Sequence, residues 1–145
     1  MAANSENSQA IVLPLGVVTK NDLGRLLREV ESVEDFLHQA SIRKPGSGLN
    51  LPKTSQLLEE LLSLNQLNLL QTDHRQKALT ELRKLHGQAL VLNISFAVDP
   101  STIFLQKLIT WLRQHIHPQI LLQIGLQPNQ GAGCIVRTTN KFFDF

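Results

Sequence analysis

Apolar residues recur at steps of three and four from Leu23 through Leu26, Leu27, Val30 and Val33 to Leu37, with Arg25, Arg28, Glu29 and Glu31 between them. That period puts a single dry face on a helix over about 19–41. Thr19, Asn21 and Asp22 stand ready to cap it, because short polar side chains can accept the orphan N–H groups of a first turn. Lys44–Pro45–Gly46–Ser47–Gly48 then reads as a loop. A second helix is expected from Pro52 or Lys53, with Leu57, Leu58, Leu61, Leu62 and Leu64 as a broad leucine surface that fades at Asn65 and Asn68. Thr72 or Asp73 caps a third, whose stripe is Ala78, Leu79, Leu82 and Leu85 and whose stop is His86–Gly87. Ahead of all three, Ile11–Val18 is an apolar run broken by Pro14 and Gly16, suited to an extended segment lying on the core rather than to a regular strand.

After Gly87 the period changes. Leu90–Ala97, with Val91, Ile94 and Phe96, reads as a strand. Asp99 is placed as an N-cap with Pro100 at the first helical position, where its missing N–H costs nothing. The helix that follows, Ser101–Ile116, carries Phe104, Leu105, Leu108, Ile109, Trp111 and Leu112 over a wide apolar surface, and His117–Pro118 ends it. Ile120–Leu126 and Cys134–Thr138 are further strands around a Gln127–Gly133 loop. Thr139–Asn140 resembles a tight turn into Phe142–Phe145, which makes the last two segments a hairpin. A helix between the first two strands implies a parallel, right-handed crossover. The expected class is α+β: a leader over residues 1–10 too polar to fold, a helical unit over 11–87, and a βαββ unit over 88–145. Three phenylalanines in the last four positions also suggest a chain cut from a longer product.

Composition narrows the function without naming it. The chain has 145 residues, 14 Lys and Arg against 12 Asp and Glu, and 42% apolar residues. A single cysteine excludes an intrachain disulfide and any zinc site needing two thiolates. No apolar run reaches the roughly 18–20 residues of a membrane span, and residues 1–10 lack the parts of a signal peptide, so a cytoplasmic protein is expected. Ten basic and eleven acidic residues lie up to Asp99, with four basic and one acidic beyond it. That excess is too small to imply a nucleic-acid surface.

Each candidate chemistry meets a plainer structural explanation. His115 and His117, two positions apart on a helix, point to different sides and have no nearby carboxylate or thiol to complete a metal site. Cys134 beside Gly131 and Gly133 has the surroundings of a loop nucleophile, yet an unpaired cysteine is more often a small buried residue. The Gly125–Gly133 stretch lacks the Gly-Lys-Ser/Thr ending of a phosphate loop, and a strand rather than a helix follows it. Arg137 and Lys141, with Lys107 and Arg113, offer a modest basic patch beside Phe142, Phe143 and Phe145, which an RNA-binding sheet would use for stacking. The same alternation suits an edge strand. No cofactor is expected, and no catalytic residue is assigned.

The C-terminal stretch resembles one known family. Pro128–Arg137, with Gly131, Gly133 and the apolar Cys134–Val136 before Arg137, looks like the first strand of the hairpin in the delta subunit of F-type ATP synthase, the oligomycin-sensitivity conferral protein of mitochondria. Thr139–Asp144 looks like its turn and return strand. Ala132 separates the two glycines, Thr139–Asn140 stands where Gly-Asp is usual, and Phe145 stands where a Gly is. The resemblance covers about residues 88–145, and the family's N-terminal domain is a six-helix bundle where three helices are read here. It implies a non-catalytic stator subunit whose partners are the catalytic head and the peripheral stalk, held to the cytoplasmic face of the membrane through the complex. The helices over 19–41 and 53–86 would dock on the head, and the βαββ unit would hold the stalk. Phe104, Leu108, Trp111, Arg137 and Lys141 are the expected partner-binding residues. The alternative is a small RNA-associated or protein-interaction α/β domain, and an enzyme using Cys134 ranks third.

Overall fold

The computed structural model describes residues 10–42, 51–126 and the backbone of 134–138; the expected leader up to residue 9, the Lys44–Gly48 loop, the Gln127–Gly133 loop, the Thr139–Asn140 turn and the Phe142–Phe145 strand lie outside them. The protein is of mixed helix and strand. Its order is α1 (Lys20–Ile42), α2 (Gln56–Asn65), α3 (Thr72–Gln88), β1 (Val91–Phe96), α4 (Thr102–His115), β2 (Leu121–Leu126) and β3 (Cys134–Thr138).

Helix α1 begins in a reciprocal cap. The Thr19 hydroxyl accepts from the Asp22 N–H at 3.2 Å, while the Asp22 carboxylate accepts from the N–H groups of Thr19 at 3.0 Å and Val18 at 3.1 Å. Two of the helix start's orphan donors, those of Thr19 and Asp22, are thereby satisfied by one residue pair. Of the expected stripe, Leu23, Leu26, Val30 and Val33 are buried, and Leu27 and Leu37 pack partly buried beside them.

Four boundaries differ from the sequence expectation. Helix α2 starts at Gln56 rather than at Pro52 or Lys53, because Ser55 is the residue whose hydroxyl accepts from the Leu58 N–H, at 3.2 Å. Its position is fixed from across the fold: Glu29 accepts from the Ser55 N–H at 2.7 Å and from its hydroxyl at 2.8 Å. Helix α3 takes Gln71 at its N-cap without a side-chain bond; Thr72 is already helical, and its hydroxyl serves Arg75 instead. The helix also runs through Gly87 to Gln88. Finally, Ser101 and not Asp99 caps α4, accepting from the Phe104 N–H at 3.1 Å, so Pro100 falls outside the helix.

Helix α2 ends at Gln66, whose φ of 55° puts a non-glycine residue in the left-handed region. The turn gains its carbonyl partners there, since the Gln66 and Leu67 N–H groups both reach Leu62 O. A side chain in that conformation carries a cost that glycine lacks. Gln66→Gly is expected to stabilise the protein by about 0.5–1 kcal/mol in urea unfolding; a destabilised variant would contradict this account of the turn.

The sheet has the order β2-β1-β3. Strand β1 runs parallel to β2, with Val91 opposite Leu121 and Phe96 opposite Leu126, and antiparallel to β3, with Leu92 opposite Thr138 and Phe96 opposite Cys134. Alternation along the strands divides the core. Val91 and Leu121 face α1, α2 and α3 and join their cluster, whereas Leu92, Ile94 and Leu122 form a second cluster with Ile109 and Leu112 of α4. Farther along the first face, Asn93, Ser95 and Gln123 replace apolar side chains and are partly or fully exposed, so the helical layer covers only one end of that face.

The run Ile11–Thr19 is an extended strap on the core, as its composition suggests. Ile11, Leu13 and Val17 are buried. The chain turns at Pro14–Val17, where the Val17 N–H meets Pro14 O at 3.0 Å, and then forms a single parallel bridge between Thr19 and Leu122 of β2.

Candidate functional site

Helix α4 positions most of the residues that the sequence singles out. Its inner stripe is consumed by the sheet: Ile109 and Leu112 are buried, and Leu105 and Leu108 pack partly buried against the same cluster. Leu108, expected among the partner-binding residues, therefore faces the sheet. Phe104 and Trp111 stand on the outer side at 48% and 52% exposure, which leaves about half of each side chain to water. Phe104 meets Phe96 edge to face with centroids 5.9 Å apart, and Trp111 stacks on His115 at 4.5 Å, so both rings are held in place without being covered.

Next to them, Ile103 is 68% exposed, and Leu15 of the strap is also uncovered. Leu15, Ile103, Lys107, Thr110, Trp111 and Gln114 line an open groove of about 410 Å³ between the strap and α4. Leu15 and Ile103 were not among the candidate site residues. Ile103 sits at the right helical spacing from Lys107 and Trp111 to have been found, but Leu15 joins them only through tertiary packing. The stretch from Pro100 to Thr138 carries no Asp or Glu, so Lys107 stands in the groove without an acidic neighbour in sequence.

Arg113 does not join the basic patch expected of it. Its guanidinium turns inward and donates to the carbonyls of Pro14 at 3.1 Å, Val17 and Ile120 at 3.4 Å. Burial pushes its pKa down from the usual arginine range to about 10, since charge is disfavoured where water is excluded. The unfolded chain thus binds more protons than the folded one only from about pH 10 up to the usual arginine range, and stability from this group rises with pH only in that window. The stability difference between the wild type and Arg113→Met is therefore expected to stay flat from about pH 6 to about pH 9 in denaturant titrations; a steep slope there would assign the effect to another group.

His115, at the end of α4, and His117, just beyond it, are occupied locally. The His115 Nδ1 donates to Trp111 O at 2.9 Å, and the His117 Nδ1 accepts from the Gln119 N–H at 3.0 Å. Among the described residues no three of His, Cys, Asp and Glu gather into a metal-binding group. Register places Arg137 opposite Asn93 and Cys134 opposite Phe96 on the β1–β3 pair. Lys141 lies outside the described residues. Among the described residues, no helix is long and apolar enough to cross a membrane.

The outer side of α4 presents ordered aromatic rings, exposed aliphatic side chains and one lysine. No protein-family model matches the chain, and no curated protein matches it.

Proposed function

We propose that the protein is a connector that works by binding other proteins, and specifically a stator subunit of a rotary F-type ATP synthase that joins the catalytic head to the peripheral stalk. The observation that carries the binding part is the exposed side of α4, where Ile103 and Trp111 line a groove with Leu15 and Phe104 stands half-exposed on the same helix. Solvated aromatic and aliphatic side chains held in fixed positions cost free energy in an isolated molecule and return it when a partner covers them.

The stator assignment rests on the resemblance of Pro128–Arg137 and Thr139–Asp144 to the hairpin of the delta subunit, and on the strand-helix-strand-strand order in which β3 enters the sheet beside β1. In this reading α1, α2 and α3 dock on the head while the βαββ unit grips the stalk, and the protein supplies no catalytic residue or cofactor of its own. It stays at the cytoplasmic face of the membrane through the complex.

Affinity purification of the tagged full-length protein from its own cells tests this. Catalytic-head and peripheral-stalk subunits are expected in the eluate. Exchanging Ile103 for Asp together with Trp111 for Ala should lower their recovery by about tenfold or more, the loss typical of removing a central apolar anchor. Repeated purifications that recover no synthase subunit would overturn the assignment.

A further inference from the structure

The strap touches both halves of the molecule with side chains and main chain alike. Ile11, Leu13 and Val17 enter the cluster of α1, α2 and α3, while the next residue, Val18, packs against the cluster of α4 and the sheet. By comparison, the sheet itself sends only Val91 and Leu121, among the described residues, into the helical cluster.

Polar groups from both sides hold the strap's backbone. From α2, the Asn65 carboxamide pairs with Val12 as a neighbouring strand would, accepting from its N–H at 2.8 Å and donating to its carbonyl at 2.9 Å. At the adjoining turn, a Cβ on Gly16 would come within 2.7 Å of Leu57 Cδ1, so the missing side chain lets the strap lie close against α2. From the sheet half, Gln119 donates to Ile11 O at 2.8 Å, Leu122 donates its N–H to Val18 O at 2.7 Å, and Arg113 gathers the carbonyls of Pro14 and Val17 together with that of Ile120.

We infer that the Ile11–Thr19 segment is a strap that makes the helical half and the sheet half one cooperative body, with Arg113 and Asn65 as its two clasps. A guanidinium bridging three carbonyls from two chain segments cannot be replaced by water without releasing one of those segments. Opening the strap uncovers the outer edge of β2 at Leu122 and leaves Val91 and Leu121 as the sheet's contribution to the helical core. The strap holds the two halves together whichever partner the α4 face binds.

Native-state hydrogen exchange on the full chain, read residue by residue in increasing urea, tests it. In the wild type, the slowest amides of α1, α3, β1 and α4 are expected to open in a single step. Arg113→Met keeps an unbranched apolar stem as far as the Nε position and removes the donors. It should speed exchange at the Leu122 amide by about tenfold or more and separate the opening of β1, β2 and α4 from that of α1 and α3. Asn65→Ser, which acts from the opposite half, should produce the same separation, and it decides the matter alone if Arg113→Met does not fold. Protection lost uniformly across both halves, or halves that still open together in both variants, would overturn the inference.

Discussion

Replacing Leu82 by alanine is expected to remove about 3–4 kcal/mol of stability in urea or guanidinium unfolding, by the transfer and cavity terms of a buried leucine. Leu82 has no exposed surface and sits on α3 in the cluster that α1 and α2 share, where the backbone of three helices resists collapse into the space left behind. Leu64→Ala provides the control. Its side chain is 53% exposed at the end of α2, and its loss should change stability by no more than about 0.5 kcal/mol. Equal effects at the two positions would contradict the placement of the core.

Arg75→Ala is expected to cost about 2–4 kcal/mol, somewhat less than breaking a fully buried charge pair because the Glu34 side chain keeps 28% exposure. Arg75 is the one buried charged residue among those described. Its Nε meets the Glu34 carboxylate of α1 at 2.5 Å, its Nη1 donates to the carbonyls of Leu69 at 2.9 Å and Leu70 at 3.1 Å, and its Nη2 donates to the Thr72 hydroxyl at 3.3 Å. One planar fork thus ties α1 to the connection between α2 and α3. Removing it takes a donor from two carbonyls and leaves the Glu34 carboxylate with only the Gln76 amide, at 3.4 Å. Arg75→Lys should recover little, because a single ammonium cannot reach acceptors on three sides of the guanidinium plane. Full rescue by lysine, measured in the same unfolding experiment, would show that charge rather than geometry matters at this site.

The burial of Leu82 is legible in the sequence, and the role of Arg75 is not. The stripes that hold, Leu23–Val33 on α1 and Ala78–Leu85 on α3, are those in which one face of the helix meets a continuous core, so burial follows the 3.6-residue period. Strand β3 and the parallel pairing of β1 with β2 follow from the apolar runs and the intervening helix. Helix starts are harder to read wherever two capping residues stand close together. Asp99 and Ser101 both have side chains able to accept the first N–H groups, and local sequence does not rank them; Ser55 is held by Glu29, 26 positions away.

The polar residues Arg75, Arg113, Asn65 and Gln119 are the least legible. Each looks in sequence like a solvated side chain, and each is turned toward a distant part of the fold, to backbone groups of the strap for Arg113, Asn65 and Gln119 and to the Glu34 carboxylate for Arg75. Arg113 and Pro14 are 99 positions apart. No period or motif encodes such a contact, because it exists only once the strap has been laid across the two clusters. The α4 face lies between these extremes. Phe104 and Trp111 are visible as a surplus of apolar residues around the helix, but which of them the sheet covers depends on the register of α4 over β1 and β2.

Trp111 is the only tryptophan in the chain, and it stands half-exposed in the α4 groove, so its emission reports directly on whether that face is covered. Titrating the intact protein with purified peripheral-stalk and catalytic-head subunits of the synthase from the same cells should give a saturable blue shift in that emission, abolished by Ile103→Asp. An emission spectrum unchanged by every synthase subunit, at concentrations where a control stator subunit is fully bound, would contradict the proposed connector function.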